Sequence, residues 1–114
     1  MEKIVERGLL FDIYGELLTD RQKEVFGALV EGDMSMTELA EEFGISRQGA
    51  HDLIRRCDYI LYGYEEKLKM MEKFLTMRGQ IKEARNILAK DDFCEKCGEA
   101  AALDNILKGL EEQI

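Results

Sequence analysis

Proline is absent from the 114 residues of this chain, and no apolar run approaches the length that crosses a membrane. Proline interrupts helices because it lacks a backbone N–H and clashes with the preceding turn, so its absence leaves long helices unbroken. A membrane-spanning helix needs about 20 consecutive apolar residues. The first residues also lack the basic-then-apolar order of a secretory signal. We therefore expect a cytoplasmic protein without membrane insertion.

Cysteine is also scarce, with three residues in the chain, two of which form a single Cys-x-x-Cys pair, Cys94 and Cys97. An odd number this small does not make a disulfide framework and fits a reducing compartment. The pair supplies half the ligands of a tetrahedral zinc site, and two chains of a dimer would together supply four thiolates. Cys94 and Cys97 are thus weak metal candidates, and we expect them to be reduced and metal-free.

Signatures of catalysis are missing as well. The sequence contains no glycine-rich phosphate loop, nucleophile motif or cofactor fingerprint. The single histidine, His51, has no partner at the spacing of a metal site or a catalytic pair. We therefore predict a non-enzymatic protein with no cofactor and no small-molecule substrate.

The residues that are abundant form helices readily, chiefly Glu, Lys, Leu, Ala and Met. Apolar residues at helical spacing predict helices over about 4–18, 20–31 and 36–43. Thr19 precedes the second helix and Ser35 the third, and each is followed three residues later by Gln or Glu, as in a capping box. These signals predict where the second and third helices begin.

The segment Met36 to Arg56 fits the helix-turn-helix template at the positions where sterics are restrictive. The small Ala40 lies where two helices cross, and Gly44 supplies the left-handed residue that ends the first helix of the motif. Ser46 then caps the second helix, which is the one that reads DNA in proteins of this kind. The motif is a strong signal for fold.

The whole pattern predicts an all-α fold with two parts. Residues 1–62 form a helix-turn-helix domain of the winged-helix-like or sigma region-four-like kind, and residues 63–114 form an extended C-terminal helical arm. Around the junction, apolar residues recur in alternating steps of four and three, the spacing of a heptad seam. These residues are Cys57, Leu61, Tyr64, Leu68, Met71 and Leu75. Such a helix either lies on its own domain or pairs with a second chain; we favour a homodimer, with the arm as the dimerisation region.

The second helix of the motif has a polar outer face, which would enter a major groove. Arginine bonds guanine, and glutamine bonds adenine, through two atoms each, so Arg47 and Gln48 are the main candidates for base contacts. Ser46 and the exposed helix N-terminus suit a phosphate oxygen. The full set of DNA-binding candidates is Ser46, Arg47, Gln48, His51, Asp52, Arg55 and Arg56.

The net charge of the chain argues against binding to nucleic acid. The net charge is −8, and acidic residues outnumber basic ones by six in residues 1–62 and by two in residues 63–114. Proteins bind nucleic acid largely through Lys and Arg at phosphates, so the chain as a whole is repelled. Two functions stay open: a dimeric DNA-binding regulator, and an acidic adaptor that contacts a basic protein or ribonucleoprotein without binding DNA.

Three segments, in this order and at similar spacing, resemble the YlxM family of small bacterial helix-turn-helix proteins. They are YGELLTDRQKEVF at 14–26, ELAEEFGISRQGAHDLIRRC at 38–57, and YEEKLKMMEKF at 64–74. The motif is in turn similar to the promoter-reading region four of bacterial sigma factors, where an LTxRQ helix precedes the DNA-reading pair. The resemblance implies a bacterial cytosolic regulatory protein that takes part in the signal recognition particle pathway, with components of that particle as partners.

The sequence departs from the family pattern in the reading helix, where Gly49 and His51 replace larger or aromatic residues. Glycine weakens a helix by up to about 1 kcal/mol relative to alanine, which argues against tight base-specific reading. The resemblance covers about the first two thirds of the chain and leaves Cys94 and Cys97 outside it.

Overall fold

The computed structural model describes residues 2–90 and 98–113, and these residues are helical almost throughout. The described ranges contain α1 (Lys3–Tyr14), α2 (Asp20–Val30), α3 (Met36–Phe43), α4 (Arg47–Leu68), α5 (Met70–Lys90) and α6 (Gly98–Gln113). A short 3-10 helix, Gly15–Leu17, follows α1. No β-strand occurs in these ranges, and the predicted all-α class is confirmed.

The predicted capping boxes at the starts of α2 and α3 are confirmed. The Thr19 hydroxyl accepts a hydrogen bond from the Gln22 N–H, and the Gln22 side chain accepts one from the Thr19 N–H. Ser35 and Glu38 make the same reciprocal pair. Each box satisfies two backbone donors that a helix start would otherwise leave unpaired. Purely local chemistry therefore determines where both helices begin.

The first helix is shorter than predicted, because α1 ends at Tyr14. Leu18 has an extended backbone and is buried, and this leaves Thr19 free to cap α2. The ring of Phe11 lies close to two glycines on either side of this bend. A Cβ at Gly15 would come within 3.1 Å of that ring and a Cβ at Gly27 within 3.3 Å, so a side chain at either position would require the ring to move by a few tenths of an ångström.

The helices α1 to α4 share one core. Helix α1 contacts α2 and α4, α2 contacts α3 and α4, and α3 contacts α4. Four of the buried side chains come from α4 and follow each other in steps of four, three and four, so one face of that helix lies in the core. The most deeply buried core residues are Leu10, Val25, Phe26, Leu39, Ala50, Ile54, Cys57 and Leu61.

This packing corrects two residues of the predicted dimer seam. Cys57 and Leu61 are fully buried in the core of their own chain, so in this fold neither is available to a second chain. Burial also raises the pKa of the Cys57 thiol to about 11, with a smaller contribution from the negative charge of Asp58. The thiol is therefore protonated at neutral pH and packs as a small apolar side chain.

The predicted seam is also interrupted, because α4 ends at Leu68 and Lys69 adopts the left-handed conformation with φ 57°. Two seam residues, Tyr64 and Met71, pack partly against the same core, whereas Leu68 is 49% exposed. Leu75 lies beyond the interruption in α5. The six residues do not form one continuous stripe on a single helix.

Hydrogen bonds from distant parts of the chain hold the junction between α4 and α5. The Tyr14 hydroxyl donates to Glu65 Oε1 at 2.7 Å and accepts from the Met70 N–H at 3.1 Å. The Met71 N–H donates to the same Glu65 oxygen at 2.8 Å. Burial and the bond to Glu65 raise the pKa of Tyr14. Because these groups satisfy backbone donors at the start of α5, they stabilise the break at Lys69.

The chain divides into two compact units between Met71 and Glu72, whereas the sequence predicts a boundary at 62/63. In the second unit α5 and α6 contact each other through Arg85, which bonds Asp104 at 3.1 Å and Glu111 at 3.2 Å.

Among the described residues, none of the helices combines the length and apolar character needed to cross a membrane. The weak metal candidates at 94 and 97 lie outside the described residues.

Gly44 and Gly63 form a matched pair for testing the turn. Gly44 has φ 65°, so Gly44→Ala should lower the free energy of unfolding by about 1 to 2 kcal/mol. Gly63 is inside α4, and apart from that helix's own backbone no described atom lies within 4 Å of an added Cβ. Gly63→Ala should therefore raise the free energy of unfolding by about 0.5 to 1 kcal/mol. Urea denaturation measures both, and effects of the same sign would contradict the described turn.

Candidate nucleic-acid interface

The turn between α3 and α4 is built on one carbonyl group. The backbone N–H groups of both Gly44 and Ile45 donate to the Ala40 carbonyl oxygen, the second at 3.0 Å. This pairing requires the left-handed backbone of Gly44. Ala40 itself is buried, as predicted for the point where the two helices cross. The predicted helix-turn-helix is therefore confirmed in its geometry.

Ser46 is the N-cap of α4, and its hydroxyl accepts a hydrogen bond from the Gly49 N–H at 2.9 Å. A Cβ at Gly49 would lie 3.1 Å from that hydroxyl oxygen, which is tighter than ordinary contact. The equivalent positions of the other two caps carry the side chains of Gln22 and Glu38, so the cap itself does not explain the glycine. The first turn of α4 is exposed at Ser46, Arg47 and Gln48.

Helix α2 braces the end of α3 through Arg21. Its guanidinium donates to the Phe43 carbonyl oxygen at 3.1 Å and lies 5.2 Å from the centre of the Phe43 ring. The carbonyl is one of those that a helix end leaves without an internal partner. Arg21 therefore stabilises the end of α3, and its guanidinium is held against Phe43.

An ion pair joins helix α1 to one flank of α4. Arg7 makes two hydrogen bonds to the Asp58 carboxylate, at 3.0 and 2.6 Å, and both side chains are largely shielded from solvent. This pair and the bond from Tyr14 to Glu65 have the same sequence offset of 51 residues, so α1 and α4 run parallel. Arg7 places a positive charge beside the negative charge of Asp58, so the pair as a whole adds no net charge to α4.

The structure brings the predicted DNA-binding residues together on the first three turns of α4. Arg47, Gln48, His51, Arg55 and Arg56 are exposed, and the Asp52 side chain is 49% exposed. The Gln48 amide nitrogen donates to Asp52 Oδ1 at 3.0 Å, and Arg55 Nη1 lies 4.0 Å from the same oxygen. The outer face thus carries a small polar network between arginines.

One residue that sequence reasoning missed is Tyr59. It is 83% exposed and continues the row of Gln48, Asp52 and Arg55 at helical spacing. It lies about 18 Å from Arg47 along the helix axis, beyond the template that ends at Arg56. Its spacing of four from Arg55 is the signal that would have identified it. A tyrosine there offers a hydroxyl to a phosphate and a ring for stacking.

The basic side chains of this face lie in an acidic domain. Arg47, Arg55 and Arg56 carry positive charge on α4, against Asp52 on the same helix. The exposed carboxylates on α2 and α3 are Asp20, Glu24, Glu38, Glu41 and Glu42. In the part of the chain that the structure describes, no group of three or more His, Cys, Asp or Glu side chains is placed to hold a metal ion. The domain thus combines a few cationic side chains on α4 with a larger number of exposed carboxylates on α2 and α3.

Comparison with known proteins identifies the same architecture. A family profile described as "Putative helix-turn-helix protein, YlxM / p13 like" matches residues 1–99. A UPF0122 protein of Acetivibrio thermocellus is 40% identical over 114 residues, which cover 100% of this chain and 95% of that protein. A UPF0122 protein of Shouchella clausii is 37% identical over 108 residues, which cover 95% and 97%. One from Clostridium kluyveri is 44% identical over 73 residues, which cover 64% and 66%.

These matches confirm the predicted resemblance and extend it. The profile reaches residue 99, beyond the first two thirds of the chain to which the sequence analysis confined the likeness. Cys94 and Cys97 therefore fall inside the matched range, although the sequence analysis left them outside it. The three relatives are bacterial proteins.

The Ser46 cap can be tested by substitution. Ser46→Ala removes the acceptor for the Gly49 N–H and should lower the free energy of unfolding by about 1 kcal/mol. Ser46→Asp keeps an acceptor and places a negative charge at the helix N-terminus, so it should leave stability nearly unchanged. Chemical denaturation followed by circular dichroism measures both. Equal losses in the two variants would contradict the described cap.

Proposed function

Because the chain belongs to the UPF0122 family of YlxM/p13-like helix-turn-helix proteins, we propose that it is a regulatory protein that binds duplex DNA through α4. The observation that carries the proposal is the start of α4, where Arg47 and Gln48 are exposed on a helix whose opposite face is buried. Because its buried face fixes the orientation of α4, the same side chains would always face the major groove. The proposed role is binding and regulation, without catalysis.

In the proposed complex the first turn of α4 supplies the base contacts. Arg47 reaches the two acceptors of a guanine, and Gln48 reaches an adenine. Ser46 and the exposed start of α4 meet a phosphate oxygen, and Arg55, Arg56 and Tyr59 follow the backbone as the helix leaves the groove. Arg55 and Arg56 provide few phosphate contacts, so the affinity of a single chain is low.

The shortage of phosphate contacts supports a homodimer, in which two copies of α4 double the contact set. We propose that the helical arm provides the dimer interface. In α6 the side chains of Leu103, Ile106 and Leu110 are about half exposed and follow each other at steps of three and four, so they share one face. A two-helix unit cannot cover such a face, and a second copy of the same unit has a matching one.

The alternative proposal is an acidic adaptor that does not bind DNA. Exposed Glu41 and Glu42 on α3, in a chain of net charge −8, favour a basic protein or ribonucleoprotein as the partner. The likeness to YlxM proteins implies that this partner is a component of the signal recognition particle pathway. Under either proposal we expect the protein to act in the cytoplasm.

Arg47→Ala tests the DNA-binding proposal. The change should weaken binding to the preferred duplex by about 1 to 3 kcal/mol, because it removes a base contact. The melting temperature should stay the same, since Arg47 is exposed. Lys67→Ala is the matched control, because it removes the same charge near the far end of α4 and should change affinity little. Fluorescence anisotropy with labelled duplex measures both, and equal losses would contradict the assigned position of the DNA.

Reversing the charge of Glu41 and Glu42 separates the two proposals. A Glu41→Lys, Glu42→Lys double variant should bind DNA more tightly than the native chain, because it removes repulsion of phosphate. An adaptor should instead lose affinity for its basic partner. Pull-down with signal recognition particle components and anisotropy with duplex DNA measure the two outcomes. Weaker DNA binding by this variant would contradict the first proposal.

Ile106→Glu tests the dimer. Ile106 is 60% exposed, so the variant should fold normally yet become monomeric, because a buried unpaired carboxylate opposes association. Asn105→Glu is the matched control, since the neighbouring exposed position lies off the apolar face and should leave the dimer intact. Sedimentation at micromolar concentration measures the oligomeric state. A native chain that is strictly monomeric would contradict the proposed interface.

A further inference from the structure

Asp52 is the feature of the α4 surface that a purely phosphate-binding helix would not have. We propose that Asp52 determines sequence discrimination, because its carboxylate accepts a hydrogen bond from a base amino group in the major groove, orients Gln48 and repels phosphate. The amino group is cytosine N4 or adenine N6, which present the same donor chemistry. This inference rests on the proposed binding of duplex DNA.

The two oxygens of Asp52 differ in their surroundings. Oδ1 accepts the hydrogen bond from Gln48 at 3.0 Å and lies 4.0 Å from Arg55 Nη1. Oδ2 accepts no hydrogen bond from any residue that the structure describes, and the side chain is 49% exposed. The carboxylate is thus held on one side and has a free acceptor on the other.

Asp52 also constrains Gln48, which the sequence analysis chose as an adenine-reading residue. One N–H of the Gln48 amide donates to Asp52. The amide carbonyl oxygen and the second N–H of Gln48 can therefore still bond a base edge. Holding a flexible side chain in place before binding reduces the entropy lost in the complex. Asp52 is therefore a positioning residue for Gln48 as well as a direct acceptor.

The negative charge of Asp52 increases the difference in affinity between the preferred DNA sequence and random sequences. At a random sequence the carboxylate faces a phosphate or a base acceptor and opposes binding, whereas at the correct sequence it pairs with an amino group. A surface pair of this type stabilises a helix only slightly. A merely structural role therefore predicts a small change in stability and no change in base preference.

The test compares Asp52→Ala with the native chain on duplexes selected from a random-core DNA pool. Asp52→Ala should bind random duplex more tightly and lower the ratio of selected-site to random affinity by about tenfold. The loss should be concentrated at one base pair, and that pair identifies cytosine or adenine as the donor. Asp52→Asn keeps an acceptor without the charge, so it should gain random binding while keeping part of the preference at that pair.

Glu41→Ala is the control, because it removes an equal charge from exposed α3 and should raise both affinities without changing their ratio. Circular dichroism confirms that the variants are folded. If Asp52→Ala leaves the ratio of affinities unchanged, the assignment of Asp52 is overturned while DNA binding stands. If the native chain binds no duplex even at low salt, the proposed function fails and this inference fails with it.

Discussion

The burial of one face of α4 is the constraint on which the rest of the structure depends. Ala50, Ile54, Cys57 and Leu61 anchor that face in the core shared by the first four helices. Because these side chains cannot leave the core without losing several kcal/mol of apolar burial, the opposite face is held towards solvent. The Gly44 turn, the Ser46 cap and the contacts of α1 with α4 all serve this orientation. The candidate interface is a consequence of how the core is packed.

Electrostatics limit what this surface can do. The chain has a net charge of −8, and α2 and α3, in the same domain as the arginines of α4, carry exposed carboxylates. Phosphate attraction normally supplies much of the affinity of a DNA-binding protein, and here it is restricted to few side chains. The proposed DNA complex therefore requires base contacts and a second copy of the chain to supply more of the affinity than is usual. The same charge distribution is what makes a basic partner the competing explanation.

Local chemistry made the helix starts and the turn predictable from sequence, because caps at Thr19, Ser35 and Ser46 and the left-handed Gly44 depend on residues within a few positions. The break at Lys69 was not predictable in this way, since it depends on Tyr14, more than 50 residues away. A heptad spacing predicts that a row of apolar side chains is buried, but it does not specify whether they pack in the same chain or against a second one. Cys57 and Leu61 were therefore predicted to lie in a dimer interface, whereas they lie in the core of their own chain. Of the outer face, the residues within the template were predicted and Tyr59 was not. The role of the whole face stays a prediction.

The dependence of DNA affinity on salt tests the central claim most directly. If α4 binds in a major groove with Arg55 and Arg56 at the phosphate backbone, the logarithm of the binding constant should fall linearly with the logarithm of salt concentration. Each phosphate neutralised by a cationic side chain contributes a slope of about −0.9, so a dimer with about four such contacts should give a slope near −4. Anisotropy titrations with duplex DNA from about 50 to 200 mM salt measure this slope. An affinity that does not change with salt, or no binding at the lowest salt, would contradict the account.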